Sequence, residues 1–272
     1  MVSRWFYYLC ATNRNMINLF TSESGEGFPL IILHGLLGMS DNWAMIAKKL
    51  SHRFRVIVPD MRNHGRSPHT SEHSYELMAE DILSLCSARG IEKIHLLGHS
   101  MGGKVAMTIA CNEPSLVGRL VVADIGPGAY TDSNYHTGLL QVMMGINPGN
   151  FSTRTEIDKL LMLKIPDQRI RMFLLKNLGR NEQNLLSWRA NLPVLLSQGN
   201  KVLEGINPDG VFTGKTLFLK GSMSDYISDE QCDLIYKQFP SASIVTIENA
   251  GHWIHADATE IFTQNVCDFL TS

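Results

Sequence analysis

The chain has no apolar run approaching the roughly 20 residues that a bilayer-spanning helix needs. Its longest apolar runs, such as residues 30–33, have the length of a strand, so a soluble protein without stable membrane insertion is expected. Cysteines are few: Cys10, Cys86, Cys111, Cys232 and Cys267 are scattered and form no C-x-x-C pair. That pattern argues against a disulfide framework and offers no zinc ligand set, which points to a reducing, cytoplasmic compartment. Charge imbalance is lacking as well, with 24 Lys and Arg against 26 Asp and Glu. Neither nucleic acid nor an anionic membrane surface is therefore an expected partner, and the substrate is sought among small, mostly uncharged molecules. Internal repeats and low-complexity segments are absent, and no oligomeric state is specified.

Acidic residues are missing before Glu23, and Arg4 precedes an apolar stretch at residues 5–11. These are features of a signal or transit peptide, but the apolar core is short for secretion and no small-residue cleavage site follows. Residues 1–15 are read as a plain N-terminal extension with Met16 as a candidate start. Organelle targeting is the alternative.

What the chain does contain, from residue 29 to residue 124, is an alternation of strand-like and helix-like segments. Strands are predicted at residues 29–33, 54–58, 93–97 and 119–123, with helices at 41–50, 74–89 and 101–112 between them. This is the pattern of βαβ units around a parallel sheet. Gly90 and Pro114 stand just past the ends of the second and third helices. Over residues 126–208 the pattern turns helical, with Ile170, Phe173, Leu174 and Leu178 at three- and four-residue spacing. An inserted helical cap is expected there. Strands resume at residues 216–219 and 243–247, and an amphipathic helix closes the chain at 258–270. The expected organisation is one α/β core, residues 16–125 and 209–272, interrupted by the cap.

Gly98-His99-Ser100-Met101-Gly102 matches G-x-S-x-G and stands between a predicted strand and a predicted helix. That is the context of the nucleophile elbow of the α/β-hydrolase fold, where small residues let the backbone turn sharply and lift the serine above the sheet. A serine hydroxyl is a poor nucleophile until a base takes its proton. His252, in Asn249-Ala250-Gly251-His252-Trp253, follows a late strand and completes the chain order of serine, acid, histidine.

Two aspartates compete for the acid. Asp124 ends a strand, and Asp225 follows Gly221 in a loop after another. Many relatives of this fold carry the acid three residues after such a glycine, where this chain has Ser224, so Asp124 is preferred and Asp225 is the alternative. Acyl transfer also needs N–H donors for the developing oxyanion. Met101, after the nucleophile, and Leu36, in His34-Gly35-Leu36-Leu37-Gly38, are the candidates. His34 and the loop at residues 60–67 are read as structural, His99 and His255 as packing beside the site, and His95 as a strand residue. His52, His69, His73 and His136 are read as solvated.

Together these residues resemble the YbfF-type esterases of the α/β-hydrolase superfamily and their eukaryotic abhydrolase-domain relatives. The resemblance runs from about residue 29 to the C-terminus. It rests on His34 through Gly38, Asp60 through Gly65, Gly98 through Lys104, Asp124-Ile125, Phe173-Leu174-Leu175 and Gly251 through Ala256. It implies a four-helix cap, a small acyl pocket limited by Trp253, a serine beside the base at Ser224, and Asp124 as the acid. Asp225 departs from the family pattern, which keeps the acid open.

The function expected is hydrolysis of short- to medium-chain carboxylic esters or thioesters through an acyl-enzyme, with no cofactor and no metal. Met143, Met144 and Leu161 are candidates either for a greasy pocket lining or for the core of the cap. The same triad could serve a carbon–carbon bond hydrolase, a cofactor-free haloperoxidase, or a ligand-binding module without turnover. Epoxide hydrolase and dehalogenase chemistry is disfavoured, because it needs a carboxylate where this chain has Ser100.

Overall fold

Strands whose side chains are apolar on both faces build the centre of the molecule. The computed structural model describes residues 16–131, 134–208 and 210–272; the expected N-terminal extension, residues 1–15, lies outside them. The first part runs β1 (Thr21–Ser24), β2 (Phe28–Leu33), α1 (Ala44–Leu50), β3 (Phe54–Pro59), α2 (Tyr75–Ala88), β4 (Ile94–His99), α3 (Met101–Asn112), β5 (Val117–Ala123). An insertion follows, with α4 (Asn134–Met144), α5 (Arg154–Met162), α6 (Gln168–Leu175), β6 (Leu178–Arg180), β7 (Leu186–Trp188), α7 (Leu192–Ser197) and α8 (Gly199–Leu203). The chain then returns through β8 (Thr216–Gly221), α9 (Asp229–Gln238), β9 (Ala242–Ile247), α10 (Ile254–Asp257) and α11 (Thr259–Thr271).

Seven strands pair in the order β1-β3-β2-β4-β5-β8-β9. All pairs are parallel except β1 with β3. Alternation at period two divides each central strand between two cores. In β2, Ile31 and Leu33 pack with α2 and α3, while Leu30 and Ile32 pack with α1 and α11. Helices on both faces are what a parallel sheet requires, because its strands have no side that faces water.

Two strand elements escape the sequence reading. β1 is the polar edge segment Thr-Ser-Glu-Ser and carries no apolar alternation. The β6–β7 hairpin lies inside the stretch read as helical, and its strands are only three residues each, too short for a period to register. The resemblance implied a four-helix cap; the insertion holds five α-helices among the described residues, the last two meeting at Gln198.

The insertion has its own core, which includes Met143 and Leu161. Met144 is exposed, so none of the three residues considered for the pocket lining lines it. Lys104, fully buried on α3, ties the insertion to the sheet. Its ammonium donates to the carbonyl of Gly128 at 2.9 Å and to that of Glu204, which lie near the two ends of the insertion. Burial pulls this amine down to about 7. His73 is buried rather than solvated, because its loop is folded under α7. Asn191 donates its backbone N–H to Asn63 O at 2.9 Å and its side-chain amide to Asn63 Oδ1 at 3.0 Å.

Candidate active site

Ser100 is placed by the turn between β4 and α3. Its φ of 53° and ψ of −122° lie in a region that costs an ordinary residue about 1–3 kcal/mol. The turn is over-determined: Ser100 N–H donates to Ala123 O at 3.1 Å, and Gly98 and Gly102 allow backbone contact. A Cβ on Gly98 would stand 2.3 Å from Gly102 O, and one on Gly102 would stand 2.3 Å from Leu33 O. The positive end of α3 begins directly behind the hydroxyl.

His252 reaches the site from the turn after β9. Its Nε2 lies 3.0 Å from Ser100 Oγ and its Nδ1 lies 2.8 Å from Asp124 Oδ2. With Nδ1–H donating to the carboxylate, Nε2 is the acceptor for the serine proton. Asp124 sits in the left-handed region just past β5, at φ 52°, with no exposed surface. Its Oδ1 accepts the Gly221 N–H at 2.9 Å, and its Oδ2 accepts the Ser224 hydroxyl as well as His252. A buried carboxylate is tolerated when donors surround it in this way. Asp225, the alternative acid, is exposed in the cavity wall, where it is not hydrogen-bonded to His252.

Leu36, Met101 and Trp253 all line a cavity of about 700 Å³ above Ser100. Met101 opens α3, so its N–H has no partner within the helix. The loop that carries Leu36 is fixed from several sides. Gly38 N–H donates to Gly35 O at 2.9 Å, and Asn177 of the insertion donates to Leu37 O at 2.8 Å. His34 acts beneath it as an organiser: its Nδ1–H donates to Gly35 O and its Nε2 accepts the Met61 N–H. Asp60, in the next loop, accepts the backbone N–H groups of Ser40 and Arg66.

His99 and His255 pack behind the base. His99 donates from Nε2 to His252 O at 2.8 Å, and His255 stacks on Trp43 with ring centroids 4.4 Å apart. Burial holds His99 well below the ordinary histidine range and pushes His255 down to about 3. Rings so hard to protonate are poor proton acceptors, and it is the Nε2 of His252 that lies within hydrogen-bond reach of Ser100 Oγ.

Two residues of the site were not legible as such in the sequence. Tyr226 stacks on His252 with centroids 3.8 Å apart and planes 16° from parallel. His136, read as solvated, is half-buried in the cavity wall because α4 carries it against Tyr226, whose hydroxyl lies 2.9 Å from its Nε2. A tyrosine two residues after Ser224 carries no local signal of this role. His52 and His69 are exposed, as expected.

Comparison with known proteins shows the family. A family model described as alpha/beta hydrolase fold matches residues 29–161. The sn-1-specific diacylglycerol lipase ABHD11 of Danio rerio is 40% identical over 255 residues, covering 90% of this chain and 79% of its own length. Esterase YbfF of Escherichia coli is 31% identical, covering 89% of this chain and 92% of its own length. A marine microorganism esterase of known structure superposes with a TM-score of 0.91 at 42% identity, over 93% of this chain and 99% of that one. The chain belongs to the α/β-hydrolase family, among the esterase- and lipase-type hydrolases that include YbfF.

Proposed function

We propose that the protein is a serine esterase that hydrolyses short- to medium-chain carboxylic esters or thioesters through an acyl-enzyme. The observation that carries this reading is the continuous hydrogen-bonded line from Ser100 Oγ through His252 to Asp124, open to an apolar-walled cavity. Ser100 Oγ attacks the ester carbonyl while His252 Nε2 takes its proton, and Asp124 holds the tautomer and offsets the imidazolium charge. The N–H groups of Met101 and Leu36 receive the oxyanion. His252 then protonates the departing alcohol, or thiol from a thioester, and water repeats the sequence on the acyl-enzyme to release the acid. Each step uses groups of the chain itself and calls for no cofactor.

Residues 126–208 act as a cap in this reading, and Trp253, 5.4 Å from Phe173 of α6 by ring centroids, limits acyl length where cap meets core. A cavity of about 700 Å³ is within the range of small-molecule sites and accommodates such esters. The relatives named as diacylglycerol lipases add glycerolipid esters to the candidates.

The test is hydrolysis of p-nitrophenyl esters of increasing acyl length, with a diacylglycerol and an acyl thioester in the same panel. Turnover by the wild type, lost in Ser100→Ala, supports the reading, and the chain-length limit should lengthen in Trp253→Ala. Absence of wild-type turnover on every ester overturns it.

A further inference from the structure

Charge on the base is the feature that separates the transition state from the resting enzyme, so groups that touch the His252 ring matter more than groups that touch its backbone. The ring edges are occupied by Ser100 and Asp124. One ring face is covered by Tyr226, nearly parallel at 3.8 Å, and His99 meets the ring at a tilt with centroids 4.8 Å apart.

Tyr226 is itself held in place. Its carbonyl accepts the Tyr130 hydroxyl at 2.7 Å, and that hydroxyl accepts the Gly126 N–H at 2.8 Å. Its own hydroxyl meets His136 on α4 at 2.9 Å. The aromatic plate on the base is thus anchored at the start of the insertion and, through its hydroxyl, to the first helix of it.

We propose that Tyr226 is a positioning residue for ester hydrolysis: its ring keeps the His252 imidazole in line between Ser100 and Asp124 and favours the protonated ring, while its hydroxyl couples that support to α4 through His136. The physical basis is the negative face of the phenol ring, which attracts a cation stacked upon it more than a neutral ring. This rests on the serine-esterase reading above. The two contributions separate by variant, since Tyr226→Phe keeps the plate and cuts the tie, and Tyr226→Leu removes both.

The experiment is a pH profile of kcat/KM for the three proteins, alongside NMR titration of the His252 ring in histidine-labelled protein. In Tyr226→Leu the NMR midpoint and the acid limb of the profile should both move down by roughly half a pH unit or more, with kcat at least about tenfold lower. In Tyr226→Phe both midpoints should stay in place, with the change confined to KM. Tyr226→Met supplies a second plate-free side chain if the leucine variant does not fold. An unmoved NMR midpoint in a folded plate-free variant overturns the proposal, as does a phenylalanine variant that behaves like it. Because the NMR titration needs no substrate, a wild type without esterase activity would overturn the functional reading while Tyr226 is still decided.

Discussion

Ser224 donates its hydroxyl to Oδ2 of Asp124, the same oxygen that accepts the Nδ1–H of His252. The serine therefore orients the carboxylate that orients the His252 imidazole. Asp124→Asn is expected to lower kcat by about 10⁴-fold, since the amide favours the wrong imidazole tautomer. Ser224→Ala should cost roughly tenfold, the scale of one hydrogen bond to a charged group. Asp225→Asn should stay within about threefold, because an exposed carboxylate interacts weakly through water. Steady-state kinetics on one p-nitrophenyl ester ranks all three, and a larger loss in Asp225→Asn than in Asp124→Asn would reverse the assignment.

Close backbone approach at the elbow makes a second prediction. Gly102→Ala places a methyl 2.3 Å from Leu33 O, where only backbone movement can relieve it. Gly138→Ala, on α4, meets nothing within 4 Å. The first should lower Tm and lose activity by about 100-fold or more, as misplacement of a nucleophile does. The second should raise stability by about 0.5–1 kcal/mol through helix propensity. Thermal melts and activity of the two variants, side by side, check both signs.

Stability should fall on mild acidification. Burial holds His73 at about 4 and His255 at about 3, both below the ordinary 6.5. The unfolded chain therefore binds these protons first. The stabilisation is complete above about pH 6.5 and is lost as pH falls toward 4 and 3, at about 1.4 kcal/mol per pH unit for each ring. Neither ring nitrogen of His73 meets a protein partner among the described residues, so His73→Phe should flatten this slope without a large penalty near neutral pH. Urea midpoints between pH 7 and 5 measure it, and parallel slopes for variant and wild type would contradict it.

Lys104→Met tests the tie between α3 and the insertion. The substitution keeps the apolar stem and removes the donor to Gly128 and Glu204, leaving two carbonyls to find other partners. A loss of about 2–4 kcal/mol is expected from the two unmade bonds. Faster proteolysis within residues 126–208, with the core resisting longer, would locate the effect; a variant as stable as wild type would show that the tie contributes little.

The sequence by itself determined the elements whose cause is local. Near-continuous apolar runs at residues 30–33 and 94–97 specify strands buried on both faces, and Gly98 and Gly102 around Ser100 specify a turn that few other residues permit. The doubly covered sheet and the serine at its strand end follow from neighbours a few residues apart. Tertiary structure decided what depends on sheet order. Asp124 and His252 are 128 residues apart in the chain, and β8 pairs with β5 and β9 on its two sides, which brings Gly221, Ser224 and the turn after β9 to one carboxylate. The same folding sets Tyr226 on the base, buries His73 and places Lys104 between the ends of the insertion. No local pattern marks such residues, because proximity between distant side chains is fixed by the packing of whole elements and not by the spacing of residues along the chain.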